Sequence, residues 1–208
     1  MSPTGLGRLS GGLLAVAFGC VASLHLVSRS LEPTSRRLSE YALGPYGFLM
    51  TTAFVAIGAG LLVVSVALRR SPDRSWRPIF AAPAVALAGV GMVMSAIFPT
   101  DPDPAASGRE TMHSVASGLA SVALITTAVA WVGLGWRRTV GGWHPSAPAA
   151  AFAVAAALIG IASPWLHRSR WTGLSQRTLW VALLGWLFAV LWWLRSEARQ
   201  PSRRVTIA

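Results

Sequence analysis

Long apolar runs alternate along this chain with short, Arg-rich polar connections. Six runs, near 11–27, 46–68, 79–98, 112–136, 147–166 and 178–194, approach or exceed the length of helix that crosses a bilayer, about 20 residues. The expected fold is therefore an all-α membrane protein, a bundle of six transmembrane helices. It forms a single domain over residues 1–208, with no room left for a soluble one. Gly44-Pro45 opens the second run, where a proline in the first turn loses no hydrogen-bond partner. Pro83 falls near the start of the third run, and Ser163-Pro164 interrupts the fifth near its end.

Composition agrees with this pattern. Hydrophobic residues make up 53% of the chain, charged residues 12%, and mean hydropathy is +0.54. A soluble domain carries about twice that charged fraction. All 18 basic residues are Arg. With the Ala, Gly, Val and Leu bias, this suggests a GC-rich bacterial genome and so a multi-pass protein of the bacterial inner membrane.

The net charge of +11 does not imply nucleic acid, because the arginines are divided among short loops between apolar runs. That is how positive-inside topology looks. A cytoplasmic N-terminus puts eleven Arg on the cytoplasmic side against Asp73 and Glu197, and seven Arg against five acids on the other. Both termini are thus expected to be cytoplasmic. Membrane lipid is the expected partner, and protein partners are left open.

Cys20 is the only cysteine, which excludes an internal disulfide. Inside the first run it reads as a small buried hydrophobe rather than a lipidation site. Trp143, Trp165, Trp171, Trp192 and Trp193 fall near the ends of runs and read as interfacial anchors. Small residues four apart, Ala56/Gly60, Gly91/Ser95, Ser114/Gly118 and Ser117/Ser121, read as close helix contacts. They suggest that the second, third and fourth helices form a tight core.

Residues able to do chemistry collect at one end of the expected bundle. The connection from Phe98 to His113 carries Asp101, Asp103 and Glu110, and ionisable groups at the edge of hydrocarbon are costly unless they pair or work. Asp101 and His113 flank a short connection between neighbouring helices, so the carboxylate can reach the imidazole and orient a general base. Asp103 and Glu110 read as solvated loop charges, His144 as incidental, and Glu40 with Arg177 as an ion pair. His25, His113 and His167 are weak metal candidates, with zinc the ion they suit, yet their spacing fits no metal motif. No resident cofactor is expected. No Gly-x-Ser-x-Gly elbow accompanies Ser39, Ser114 or Ser117.

Taken in order, Leu38-Ser39-Glu40-Tyr41, Gly44-Pro45-Tyr46-Gly47-Phe48-Leu49-Met50, Phe98-Pro99-Thr100-Asp101-Pro102, His113-Ser114 and Gln176-Arg177 resemble one bacterial integral-membrane family. It is known as domain of unknown function nine hundred and ninety-eight. The resemblance runs from about Leu9 to Leu194. It implies a six-helix membrane domain whose shared site these motifs mark, and it implies no reaction.

Two functional expectations follow. The first is a binding protein that holds a lipid headgroup or small amphiphile in an extracytoplasmic polar pocket, using Ser39, Glu40, Tyr41, Tyr46 and Arg177. The second is a membrane hydrolase or transferase built on Asp101 and His113, with Glu40 or His25 assisting.

Overall fold

The computed structural model describes residues 1–28, 31–71, 76–101, 108–136, 147–166 and 169–198. Its long helices are α1 (Pro3–Val27), α2 (Gly47–Arg69), α3 (Trp76–Ile97), α4 (Gly108–Trp136), α5 (Ala147–Leu166) and α6 (Thr172–Ala198). A short 3₁₀ helix, Leu38–Leu43, lies between α1 and α2. All six long helices are long and apolar enough to cross a membrane, so the chain is a multi-pass membrane protein.

Several helices extend beyond their apolar runs, and each extension has a local cause. Ser2 caps α1 by accepting from the Gly5 N–H, with Pro3 in the first turn. α4 begins at Gly108, so Arg109 and Glu110 lie inside its first turn, where a carboxylate meets the positive end of the helix dipole. α6 begins at Thr172, about two turns before the apolar run, and therefore carries Ser175, Gln176 and Arg177 on helix rather than loop. α5 continues through Pro164 to Leu166, and since Pro has no N–H, the Gly160 carbonyl loses its helical donor.

α2 is the centre of the bundle and packs along both α1 and α3, while α3 packs on α4 and α5 on α6. Lipid supplies no hydrophobic drive between helices, so close backbone approach and interhelical hydrogen bonds hold them together. A Cβ at Gly58 would lie 2.8 Å from the Gly89 carbonyl oxygen, and one at Gly91 would lie 2.6 Å from that of Ala116. The Ser10 hydroxyl donates to the Gly60 carbonyl at 3.1 Å, and Ser65 donates to that of Ala82 at 2.7 Å. α3 therefore packs closely on both α2 and α4, and α1 packs on α2 as well.

Two expectations change here. Gly118 meets nothing within 4 Å, and the Ser114/Gly118 and Ser117/Ser121 pairs line a cleft rather than a helix contact. Trp193 is 4% exposed and stacks edge-on against Trp131 at 5.1 Å, because α6 turns that face inward. Trp165, Trp171 and Trp192 are exposed as interfacial anchors would be, and Trp143 lies outside the described residues.

The first turns of α1 and the last turns of α6 touch, with Leu191 near Gly7 and Arg195 near Gly11. The start of α1 and the end of α6 therefore lie at one end of the bundle. The 3₁₀ helix, the end of α3 and the starts of α4 and α6 lie at the other.

Candidate functional site

Glu110 is the knot of the connection end. It is 9% exposed and accepts from four donors: Arg37 Nη1 and the Ser114 hydroxyl, both at 3.2 Å, the Thr100 hydroxyl at 2.7 Å, and the Asp101 backbone N–H at 3.0 Å. This corrects its reading as a solvated loop charge. A carboxylate at the rim of hydrocarbon is retained by being fully paired. Through it, the end of α3, the start of α4 and the 3₁₀ segment are fastened together.

His113 lies one turn along α4 on the same face as Glu110 and is 4% exposed. Its Nδ1 faces two carbonyl oxygens, Phe98 at 2.9 Å and Ser95 at 3.3 Å, and its ring meets Phe54 edge-on at 5.7 Å. Two acceptors assign the proton to Nδ1. The ring's hydrogen bonds thus go to carbonyls, not to the Asp101 carboxylate. A helix C-terminus has orphan carbonyls, and they reach the imidazole first. Asp101 joins the same knot through its backbone N–H.

A second cluster holds the connection after α1 against α6. Arg177 Nε donates to His25 Nε2 at 3.1 Å. Its Nη1 donates to the Pro33 and Arg36 carbonyls, both at 2.7 Å, and to that of Gly173 at 3.0 Å. Its guanidinium stands 5.6 Å from the centre of the buried Tyr41 ring. His25 Nδ1 is engaged with the Val21 carbonyl at 2.8 Å, so both of its ring nitrogens are committed within the fold. The expected Glu40–Arg177 pair is corrected, because Glu40 pairs with Arg36 at 3.2 Å and accepts from the Arg37 backbone N–H. Glu40 lies four positions after Arg36, and the short helical turn brings them together.

Arg177→Ala should cost about 2 kcal/mol, the usual scale for losing charge-assisted hydrogen bonds. It should also speed proteolysis within residues 31–37 in detergent, with Arg177→Lys restoring part of the protection. Cleavage of the alanine variant at the wild-type rate would show that Arg177 does not hold this segment.

Between these clusters a cleft of about 290 Å³ opens among α4, α5 and α6, with the 3₁₀ segment at its mouth. Arg37 and Ser39 line it from that segment, and His113, Ser114, Ser117, Gly118, Ser121, Val122 and Ile125 from α4. α5 supplies Ile159, Gly160 and Ser163, and α6 supplies Thr172, Ser175, Gln176, Leu179 and Trp180. The polar residues gather toward the connection end and the apolar ones toward the middle of the bundle. The Gln176 carbonyl oxygen accepts from the Leu38 N–H at 2.7 Å, and its amide nitrogen donates to no described residue.

The expected ligand set is therefore divided. Ser39 lines the cleft, Glu40, Tyr41 and Arg177 build the neighbouring scaffold, and Tyr46 is an exposed residue 43% open at the start of α2. His167, His144 and Asp103 lie outside the described residues. Among the described residues, no three His, Cys, Asp or Glu side chains converge as a metal site would require. Sequence reasoning missed Arg37, Glu110 and the serine stripe of α4. Their signals were an acid in the first turn of a membrane helix and hydroxyls recurring every three to four residues.

Residues 10–193 match the family model described as protein of unknown function (DUF998). No curated protein and no solved structure matches the chain.

Proposed function

We propose a binding function for this chain, which belongs to the DUF998 family: the α4–α5–α6 cleft holds a single amphiphile, such as a lipid. Its head lies against Arg37, Ser39 and Gln176, and its tail runs along Val122, Ile125, Ile159, Leu179 and Trp180. The observation that carries this reading is the gradient along one cleft, polar at the membrane edge and apolar toward the bundle's middle. Ligand sites are mostly apolar with a few placed polar groups, and an amphiphile matches both parts at once. The arginine bias supports an extracytoplasmic mouth.

A filled cleft tests this. Gly118 lines the wall and has open space where a Cβ would stand, so Gly118→Phe directs a ring into the cleft. Native mass spectrometry of the detergent-purified protein should show a one-to-one lipid adduct that Gly118→Phe removes while thermal stability stays within about 1 kcal/mol, the range of tolerated substitutions. An adduct that survives Gly118→Phe, or a wild type without one, would refute the site.

The enzymatic alternative, a hydrolase or transferase using Asp101 and His113, draws on one feature. His113 is oriented through Nδ1 as a general base would be. The neighbouring Ser114 hydroxyl donates to Glu110 and not to this imidazole, so no described hydrogen bond links His113 to a nucleophile. Binding is the better-supported reading.

A further inference from the structure

The hydrogen-bond polarity of the cleft specifies more than amphipathicity. A serine or threonine hydroxyl has one proton to donate and two lone pairs to accept with. On α4, Ser114 spends its proton on Glu110, Ser117 on the Ser114 carbonyl at 3.3 Å, and Ser121 on the Ser117 carbonyl at 2.9 Å. Across the cleft, Ser175 spends its proton on the Thr172 carbonyl at 2.9 Å. These hydroxyls can offer a ligand only acceptors.

The mouth has the opposite character. Arg37 uses Nη1 on Glu110, and its Nε and Nη2 donate to no described residue. Gln176 has its amide NH₂ in hand. Ser39 is 3% exposed, lines the cleft and hydrogen-bonds to no described residue. Polar groups inside a fold normally find partners, so a Ser39 hydroxyl with no described protein partner on the cleft wall points to a ligand that supplies one. The charge of Arg37 is already balanced by Glu110 at 3.2 Å. Selection must then rest on the pattern of donors and acceptors rather than on net charge.

We infer that the cleft selects amphiphiles whose head joins an anionic oxygen group to N–H or O–H donors, over heads of equal charge that lack donors. Ethanolamine and glycerol phosphoryl heads share this chemistry. The oxygen group meets Arg37, Gln176 and Ser39, and the head's donors meet Ser117 and Ser121. This inference rests on the amphiphile reading of the cleft.

The test is calorimetric titration of the intact detergent-solubilised protein with dioctanoyl lipids in charge-matched pairs. Phosphatidylethanolamine should bind about tenfold tighter than phosphatidylcholine, and phosphatidylglycerol about tenfold tighter than phosphatidylmethanol. Ser117→Ala/Ser121→Ala, which alters two partly open helix positions and no core contact, should pull both ratios toward one. Free phosphoethanolamine should bind far more weakly than its dioctanoyl ester, because it forgoes the apolar floor. Equal affinities within both pairs would overturn the inference and leave amphiphile binding standing. Ratios unchanged in the double variant would overturn the assignment of the donor partners. Free head binding as tightly as the lipid, or no lipid binding at all, would overturn the amphiphile reading and this inference with it.

Discussion

Glu110→Ala should destabilise the protein by about 3 kcal/mol, the scale for leaving buried or half-buried polar partners of a charge unpaired. Four donors on three segments converge on this carboxylate: Arg37, Thr100, the Asp101 N–H and Ser114. Removing it strands them together. Glu110→Gln, which keeps one acceptor oxygen, should lose about half as much. Arg37→Ala should lose only about 1 kcal/mol, because its side chain is 31% exposed and solvent already screens its pairing with Glu110. Unfolding in mixed micelles, followed by circular dichroism, ranks the three variants. A Glu110→Ala protein as stable as wild type would mean that the knot is not what fastens α3, α4 and the 3₁₀ segment.

Gly91→Leu should cost about 3 kcal/mol or more, the upper range for overpacking a well-filled contact. Even the first carbon of a side chain would stand 2.6 Å from the Ala116 carbonyl oxygen and 3.1 Å from the Ala120 Cβ. Backbone cannot move aside as a flexible side chain can, so α3 and α4 must separate. Ala116 is one turn from His113, so the separation also withdraws the imidazole from the Ser95 and Phe98 carbonyls. Lipid binding and stability should fall together. Gly118→Ala is the matched control on the open side of α4, and it should be neutral or stabilising by up to about 1 kcal/mol through helix propensity. Equal effects of Gly91→Leu and Gly118→Ala would contradict the close α3–α4 contact.

The helices were legible in sequence because spanning a membrane is a local property. Each backbone polar group in hydrocarbon must be satisfied within its own segment, so a long apolar run already dictates a helix. The fifth span, Ala147–Leu166, coincides with its apolar run for that reason. The ends were less legible. At the membrane edge, water and capping groups compete with helix, so Arg109, Glu110, Gln176 and Arg177 gave no hydropathic sign of belonging to α4 and α6.

The site depended on distances between helices, which hydropathy does not encode. Ser114, Ser117, Gly118 and Ser121 are small residues at helical spacing, a pattern that fits a packed seam and a polar wall equally well. Gly91 draws α4 against α3, while on α4's other side Ile125 already fills the space at Gly160, a Cβ there lying 2.8 Å from Ile125 Cδ1. The serine stripe, nearer the connection end, is thereby left facing the cleft. Likewise, the sequence offered Asp101 as the partner of His113, since both flank one connection. Tertiary packing instead set the imidazole on the carbonyl end of α3 and gave the buried carboxylate's place to Glu110. By itself, the sequence determined a six-helix membrane bundle and the end at which its polar residues gather. Which of those residues pair with one another, and which are left over to face a cleft, was decided only by how closely each helix could approach the next.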